Sequence, residues 1–179
     1  LYDKHHLVPF GEYVPFGDLL GQIGIHGLAA QQGAGFSAGP GPQLLDLGVL
    51  GKALPLICYE AVFPQDLRGT SERPDFLMQI TNDAWFGNFS GPYQHLDQAR
   101  MRAIEQGLPM LRAANTGVTA VIDAKGRILA SLPLNTQGAI DAALPEKHPK
   151  TLYVRTGDGP LAAVILLLCL LGLRRRRHE

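Results

Sequence analysis

Two side chains, Cys58 and Lys4, have the type and setting for covalent chemistry. Cys58 closes the apolar run Ala53-Leu54-Pro55-Leu56-Ile57 and is followed at once by Tyr59 and Glu60. A thiol where a buried strand opens into a turn is held rigidly yet remains open on one side, as a nucleophile requires. It attacks a carbonyl carbon only as thiolate, so its ordinary pKa of about 8.5 has to be lowered. A nearby ammonium does this and also stabilises the oxyanion of a tetrahedral intermediate. Lys4, within the dense segment YDKHHLVPFGEYVP from Tyr2 to Pro15, is the candidate cation.

The segments PLICYE and DKHHLVPFGEYVP together resemble the cysteine and lysine segments of the nitrilase (carbon–nitrogen hydrolase) superfamily, most closely its membrane-bound acyltransferase branch. The resemblance runs from Tyr2 to the C-terminal apolar segment. It implies a Glu-Lys-Cys site in which the general-base glutamate precedes the lysine, and no residue before Lys4 matches that motif. The chain also lacks an initiator methionine, so we read it as the C-terminal part of a longer protein. By the same resemblance Glu12 orients the lysine or the substrate, and Glu60 steadies Lys4 or an incoming amine. The backbone N–H of Tyr59 faces the developing oxyanion. Trp85 and Phe86, in the loop NDAWFG, line an acyl-chain groove.

The implied reaction is N-acyl transfer. A fatty acyl chain passes from a phospholipid donor to a Cys58 thioester, then to the α-amine of the N-terminal cysteine of an apolipoprotein acceptor. A nitrilase-type amidase that releases its acyl group to water shares Cys58 and Lys4 and is the alternative; a non-catalytic membrane-anchored module is a third. No cofactor is expected. His5, His6, His95 and His148 match no zinc spacing, so no metal ligand is assigned.

Composition narrows the class. Sixteen basic and sixteen acidic side chains give a formal net charge of zero, and no global field points to nucleic acid. With 21 glycines and 13 prolines, the chain favours short elements joined by tight turns. Cys58 and Cys169 lie in unlike settings, which argues against a disulfide.

The C-terminus is unlike the rest. Pro160–Leu173 carries no charge, and Arg174–Arg177 follow directly, the pattern of a membrane helix with a cytoplasmic basic end. Fourteen residues rise only about 21 Å against a hydrocarbon core of about 30 Å, so thinning of the bilayer or inclusion of Gly157–Gly159 must complete the span. The organisation expected is a catalytic domain over 1–150, a linker over 151–159, a transmembrane helix over 160–173 and a basic tail over 174–179. The bacterial inner membrane is the implied location, with the catalytic domain periplasmic.

The elements that must position these residues follow from pattern. Gln43–Leu50 and Lys52–Cys58 read as strands, and Phe63–Gly69 as a helix start with Pro64 in its first turn. Asp75–Thr81 is a buried strand leading into a turn-rich loop, Asn82–Pro92. Tyr93–Gln106 is the clearest helix, with Leu96, Ala99, Ala103 and Ile104 on its apolar face and Gly107 as its C-terminal stop. Pro109–Ala114, Gly117–Asp123 and Arg127–Leu132 read as strands around an Asp123–Gly126 turn, and Gly138–Ala143 as an added edge. Asp18–Gly24 is a short helix inside a loop-rich stretch, and Gly117 serves a turn. The sum is an α/β domain, which the resemblance narrows to an αββα sandwich.

Overall fold

A computed structural model describes residues 1–16 and 35–176, with only the backbone given for 175 and 176. The expected helix at Asp18–Gly24 lies outside the described residues. The described strands are β1 (Leu45–Asp46), β2 (Lys52–Ile57), β3 (Phe76–Thr81), β4 (Met110–Ala114), β5 (Thr119–Ile122) and β6 (Ile128–Leu132). They form one mixed sheet in sequence order, with β2, β3 and β4 parallel and the remaining pairs antiparallel. The described helices are α1 (Gly91–Gln106), α2 (Leu152–Thr156) and α3 (Gly159–Arg176).

Register decides which side chains share a face. Leu54, Leu77, Met110 and Ile122 align across β2–β5, and the next row places Leu56, Gln79, Arg112 and Ala120 side by side. This face carries the core, closed by Leu96, Ala99 and Ala103 of α1 together with Leu67, Leu108 and Val118. Alternation puts Met78, Ile80 and Leu111 on the opposite face, where Ile80 is 54% exposed. Among the described residues, therefore, one sheet is covered by a helix on one side, and the second sheet and outer helix of a four-layer sandwich are not seen.

α1 begins two residues before the pattern suggested, because Pro92 fits the first turn, where its missing N–H is not needed. Gly107 ends it in the left-handed conformation, its N–H reaching the carbonyls of Ala103 and Ile104. Its inner face is Pro92, His95, Leu96, Ala99, Ala103 and Gln106, whereas Ile104 is partly exposed and covers the turn at Gly126. That turn forms as expected, with Gly126 N–H donating to the Asp123 carbonyl at 2.9 Å.

Several expectations need correction. Gln43–Leu50 gives only the two-residue β1 and a 3₁₀ turn at Gly48–Leu50, because Gly48 and Gly51 adopt positive φ and turn the chain. Phe63–Gly69 contains a single 3₁₀ turn, Asp66–Arg68, and Gly138–Ala143 forms no strand. The expected linker is partly helical, since the Thr151 hydroxyl accepts from Val154 N–H and caps α2. The C-terminal segment is helical, but no described helix is long and apolar enough to cross a membrane. The physical reason is length: the charge-free stretch ends at Leu173, and α3 finishes in arginines.

Core packing gives a direct test. Leu77 is fully buried in the middle of the sheet, so Leu77→Ala removes apolar contacts and leaves a cavity. We expect a loss of about 2–5 kcal/mol in denaturant unfolding. A cost below about 1 kcal/mol would contradict the packing described.

Candidate functional site

The parallel strands β2, β3 and β4 all run toward one sheet edge, and the site gathers beyond their carboxyl ends, where open α/β sheets place ligands. Cys58 follows β2 directly and opens a 3₁₀ turn, Cys58–Val62. Its φ is +51°, a conformation L side chains rarely adopt and which costs on the order of 1–3 kcal/mol. The surroundings hold it there. The Gln79 amide nitrogen donates to the Cys58 carbonyl oxygen at 3.4 Å, and Ile57 N–H donates to Glu60 Oε2 at 2.7 Å.

Glu60 joins the cysteine and lysine segments. It is completely buried. Its Oε1 accepts from His5 N–H at 2.6 Å and lies 2.7 Å from His5 Nδ1, while its Oε2 also accepts from the Tyr2 hydroxyl at 3.0 Å. Burial first, then the Glu60 charge, push the Tyr2 phenol well up, so it remains a donor. Glu60 is committed on both oxygens and does not line the cavity beside Cys58, so its geometry is that of a brace and not of a base.

Lys4 is held by Glu12. Its ammonium lies 2.7 and 2.6 Å from the two Glu12 oxygens, and Oε2 also accepts from Val8 N–H at 2.8 Å. Glu12 in turn lines a cavity of about 560 Å³ with Val8, Phe10, Cys58, Tyr59, Trp85 and Phe86. The structure thus brings Cys58, Glu12, Tyr59, Trp85 and Phe86 onto one largely apolar space. Lys4 joins it through Glu12 and is not itself among the lining residues. Trp85 and Phe86 sit on the 3₁₀ turn Asp83–Phe86 and are 62% and 45% exposed, as befits side chains that line a groove rather than a core.

A buried polar network beneath Cys58 escaped the sequence reading. An arginine only donates, so the Arg112 contact identifies Gln79 Oε1 as the acceptor and turns the amide nitrogen toward Cys58. That nitrogen also lies 3.1 Å from His95 Nε2, which must accept; His95 Nδ1 then carries the proton and donates to Asp83 Oδ1 at 2.8 Å. Arg112 closes the circuit on Asp83 Oδ2 at 2.5 Å, and the Thr81 hydroxyl donates to Oδ1 at 3.0 Å. Burial alone would raise the Asp83 carboxyl, but the His95 hydrogen bond and the Arg112 charge hold it below the usual range. Burial lowers Arg112, with Asp83 opposing.

Gly117 belongs to the same network: a Cβ there would fall 1.9 Å from Asp83 Oδ2, so close approach, not a turn, requires this glycine. The available signal was a polar residue in the middle of each of two apolar strands, Gln79 and Arg112. Similarly, sequence spacing gave His5 and His6 no third metal ligand, whereas the fold adds Asp66 and brings donor atoms of all three within 4.8 Å of one another.

A family profile for carbon–nitrogen hydrolases matches residues 1–148, and the chain belongs to that family. Within it, the relatives named apolipoprotein N-acyltransferase are similar over almost all of this chain. The Bradyrhizobium diazoefficiens protein is 53% identical over 98% of this chain and 33% of its own length. That of Rhodopseudomonas palustris is 51% identical over 99% and 33%, and that of Brucella melitensis 44% identical over 98% and 34%. The chain spans about a third of the length of these relatives. Among solved structures, the NitN amidase of Nesterenkonia sp. AN1 aligns with a TM-score of 0.50 at 21% identity, covering 75% of this chain and 47% of that one, which places both in one fold.

The depressed Asp83 carboxyl sets a pH dependence. Because it ionises more readily folded than unfolded, its ionisation favours the fold above the ordinary aspartate pKa of about 3.9, and this is lost as pH falls through the lower folded value. We expect Asp83→Asn to be destabilised near neutral pH, with the gap to the natural protein in urea unfolding closing below about pH 4. Cys58 alkylation should slow in parallel, as its carbonyl loses its anchor. A gap independent of pH would contradict the charged network.

Proposed function

We propose that this chain carries the thioester-forming part of an N-acyltransferase acting on lipoproteins. The observation that carries the reading is the apolar cavity shared by Cys58, Glu12, Trp85 and Phe86, with the Lys4 ammonium fixed on Glu12. The similarity to apolipoprotein N-acyltransferases across nearly the whole chain supports it.

In this mechanism the Cys58 thiolate attacks the ester carbonyl of a phospholipid. The C–O bond breaks, a lysophospholipid leaves with a proton, and a thioester remains on Cys58. The α-amine of an apolipoprotein's N-terminal cysteine then attacks the thioester; a C–N bond forms, the C–S bond breaks, and the thiol is restored. Lys4, aligned by Glu12, and the Tyr59 N–H stabilise the oxyanion of both tetrahedral intermediates. Trp85 and Phe86 hold the acyl chain, and the apolar walls keep water from the waiting thioester. The general base is a glutamate outside residues 1–179, as the family resemblance implies.

The reading places the enzyme at the bacterial inner membrane, with residues 1–150 as the catalytic domain and 174–179 as a basic tail. The apolar residues of α3, exposed on all sides, support contact with lipid, although the helix is too short to cross a bilayer by itself. A second sheet packed over Met78, Ile80 and Leu111 would complete an αββα sandwich.

The test uses the complete natural protein with acyl-labelled phospholipid. Cys58→Ala should abolish the covalent acyl-enzyme, and Glu12→Gln should slow its formation by about 10²-fold or more, as loss of an oriented electrostatic group does. Labelling that persists in Cys58→Ala would overturn the proposal.

A further inference from the structure

We propose a metal-binding site for a divalent transition ion, Zn²⁺ or one of similar preference, formed by His5 Nε2, His6 Nδ1 and Asp66. The three donors lie within 4.8 Å of one another on the side of the Cys58–Arg68 stretch that faces the lysine segment.

His5 and Asp66 already face each other, with His5 Nε2 3.1 Å from Asp66 Oδ2 in hydrogen-bond geometry. On the far side of the same ring, Nδ1 lies 3.1 Å from the Tyr2 hydroxyl and 2.7 Å from Glu60 Oε1. A metal ion at Nε2 takes the place of the proton shared with Asp66, and that proton leaves to solvent.

His6 adds a third group to the same point. Its Nδ1 is 2.6 Å from Asp66 Oδ2, yet this buried atom makes no hydrogen bond of acceptable geometry. Its ring is fixed by stacking on Phe63 at 3.8 Å, so the nitrogen cannot swing away to water without breaking that stack.

Two imidazole nitrogens and one carboxylate oxygen suit Zn²⁺, which binds such atoms at about 2.0–2.2 Å and leaves a fourth position open. At those bond lengths a tetrahedral ion sets its ligand atoms about 3.3 Å apart, so His5 Nε2, 3.1 Å from Asp66 Oδ2, fits with little movement, whereas His6 Nδ1, now at 2.6 Å, draws back by roughly 0.7 Å. Glu60 supplies the support such sites use, a carboxylate on the far nitrogen of a ligating histidine that fixes its tautomer and strengthens it as a ligand. A bound ion ties residues 5 and 6 to Asp66, and so clamps the lysine segment onto the turns that follow Cys58. Its role is structural, and it stands independently of the reaction proposed above.

The complete natural protein, freed of metal by chelation and dialysis, is titrated with Zn²⁺ by calorimetry and with Co²⁺ by visible absorption. We expect one tight site per chain, a tetrahedral-type Co²⁺ spectrum, and a higher unfolding temperature with Zn²⁺. Asp66→Asn should weaken Zn²⁺ binding by about tenfold or more. His6→Phe keeps a ring on Phe63 while deleting a ligand, and should abolish the Co²⁺ spectrum even if Asp66→Asn fails to fold. Absence of tight Zn²⁺ binding in the natural protein would mean that protons alone bridge the cluster and would overturn the proposal. An unaltered Co²⁺ spectrum in His6→Phe would overturn it as well.

Discussion

Glu60 is the group through which the two halves of the site are held together. A completely buried carboxylate is costly unless its lone pairs are filled, and here they are filled by donors from both segments: Ile57 N–H on the cysteine side, Tyr2 and His5 on the lysine side. Tyr2 and Glu60, 58 positions apart in the chain, are thereby closed onto one another. If Glu60 were absent, at least three buried donors would face one another across an empty space, and the opening segment would lose its seat beside β2. The arrangement of Lys4 and Glu12 over the cavity follows from that seat.

The second constraint is the pleat of the sheet. Because β2, β3 and β4 run parallel in a fixed register, Gln79 and Arg112 become lateral neighbours on the core face, one step from the strand ends. Their polarity would be a liability among Leu54, Leu56, Leu77 and Met110. Asp83 and His95 convert it into a closed circuit in which every strong donor meets an acceptor. Through the Gln79 amide the circuit ends on the Cys58 carbonyl and holds Cys58 in its unusual backbone conformation. Cys58 is therefore positioned from below by the charged circuit and from the side by Glu60, while the cavity beside it is largely apolar.

The same sheet shows where the described residues stop being self-sufficient. Among the described residues the face toward α1 is closed, whereas Met78 and Leu111 on the other face are half-buried and Ile80 and the leucines of α3 are exposed. Apolar surface of that extent calls for cover.

Local sequence was enough to place Cys58 at the end of a buried strand, and to mark the strand at Phe76–Thr81, the helix ending at Gly107 and the Asp123–Gly126 turn, because each rests on neighbours within a few residues. The lysine segment and its glutamate were likewise legible, since Lys4 and Glu12 meet within a single loop. What depended on distant pairing was not. The roles of Tyr2, Gln79, Asp83, His95 and Arg112, the reason for Gly117, and the meeting of His5 and His6 with Asp66 all arise from side chains up to about sixty residues apart. No spacing rule encodes them, because a buried polar atom is satisfied by whatever partner the fold carries to it. Propensity also overstated the elements at Gln43–Leu50 and Phe63–Gly69, where positive-φ glycines and 3₁₀ turns take over. The candidate side chains stood in short stretches of sequence; register and burial decided how they are aligned, because only the folded sheet brings distant polar atoms into contact.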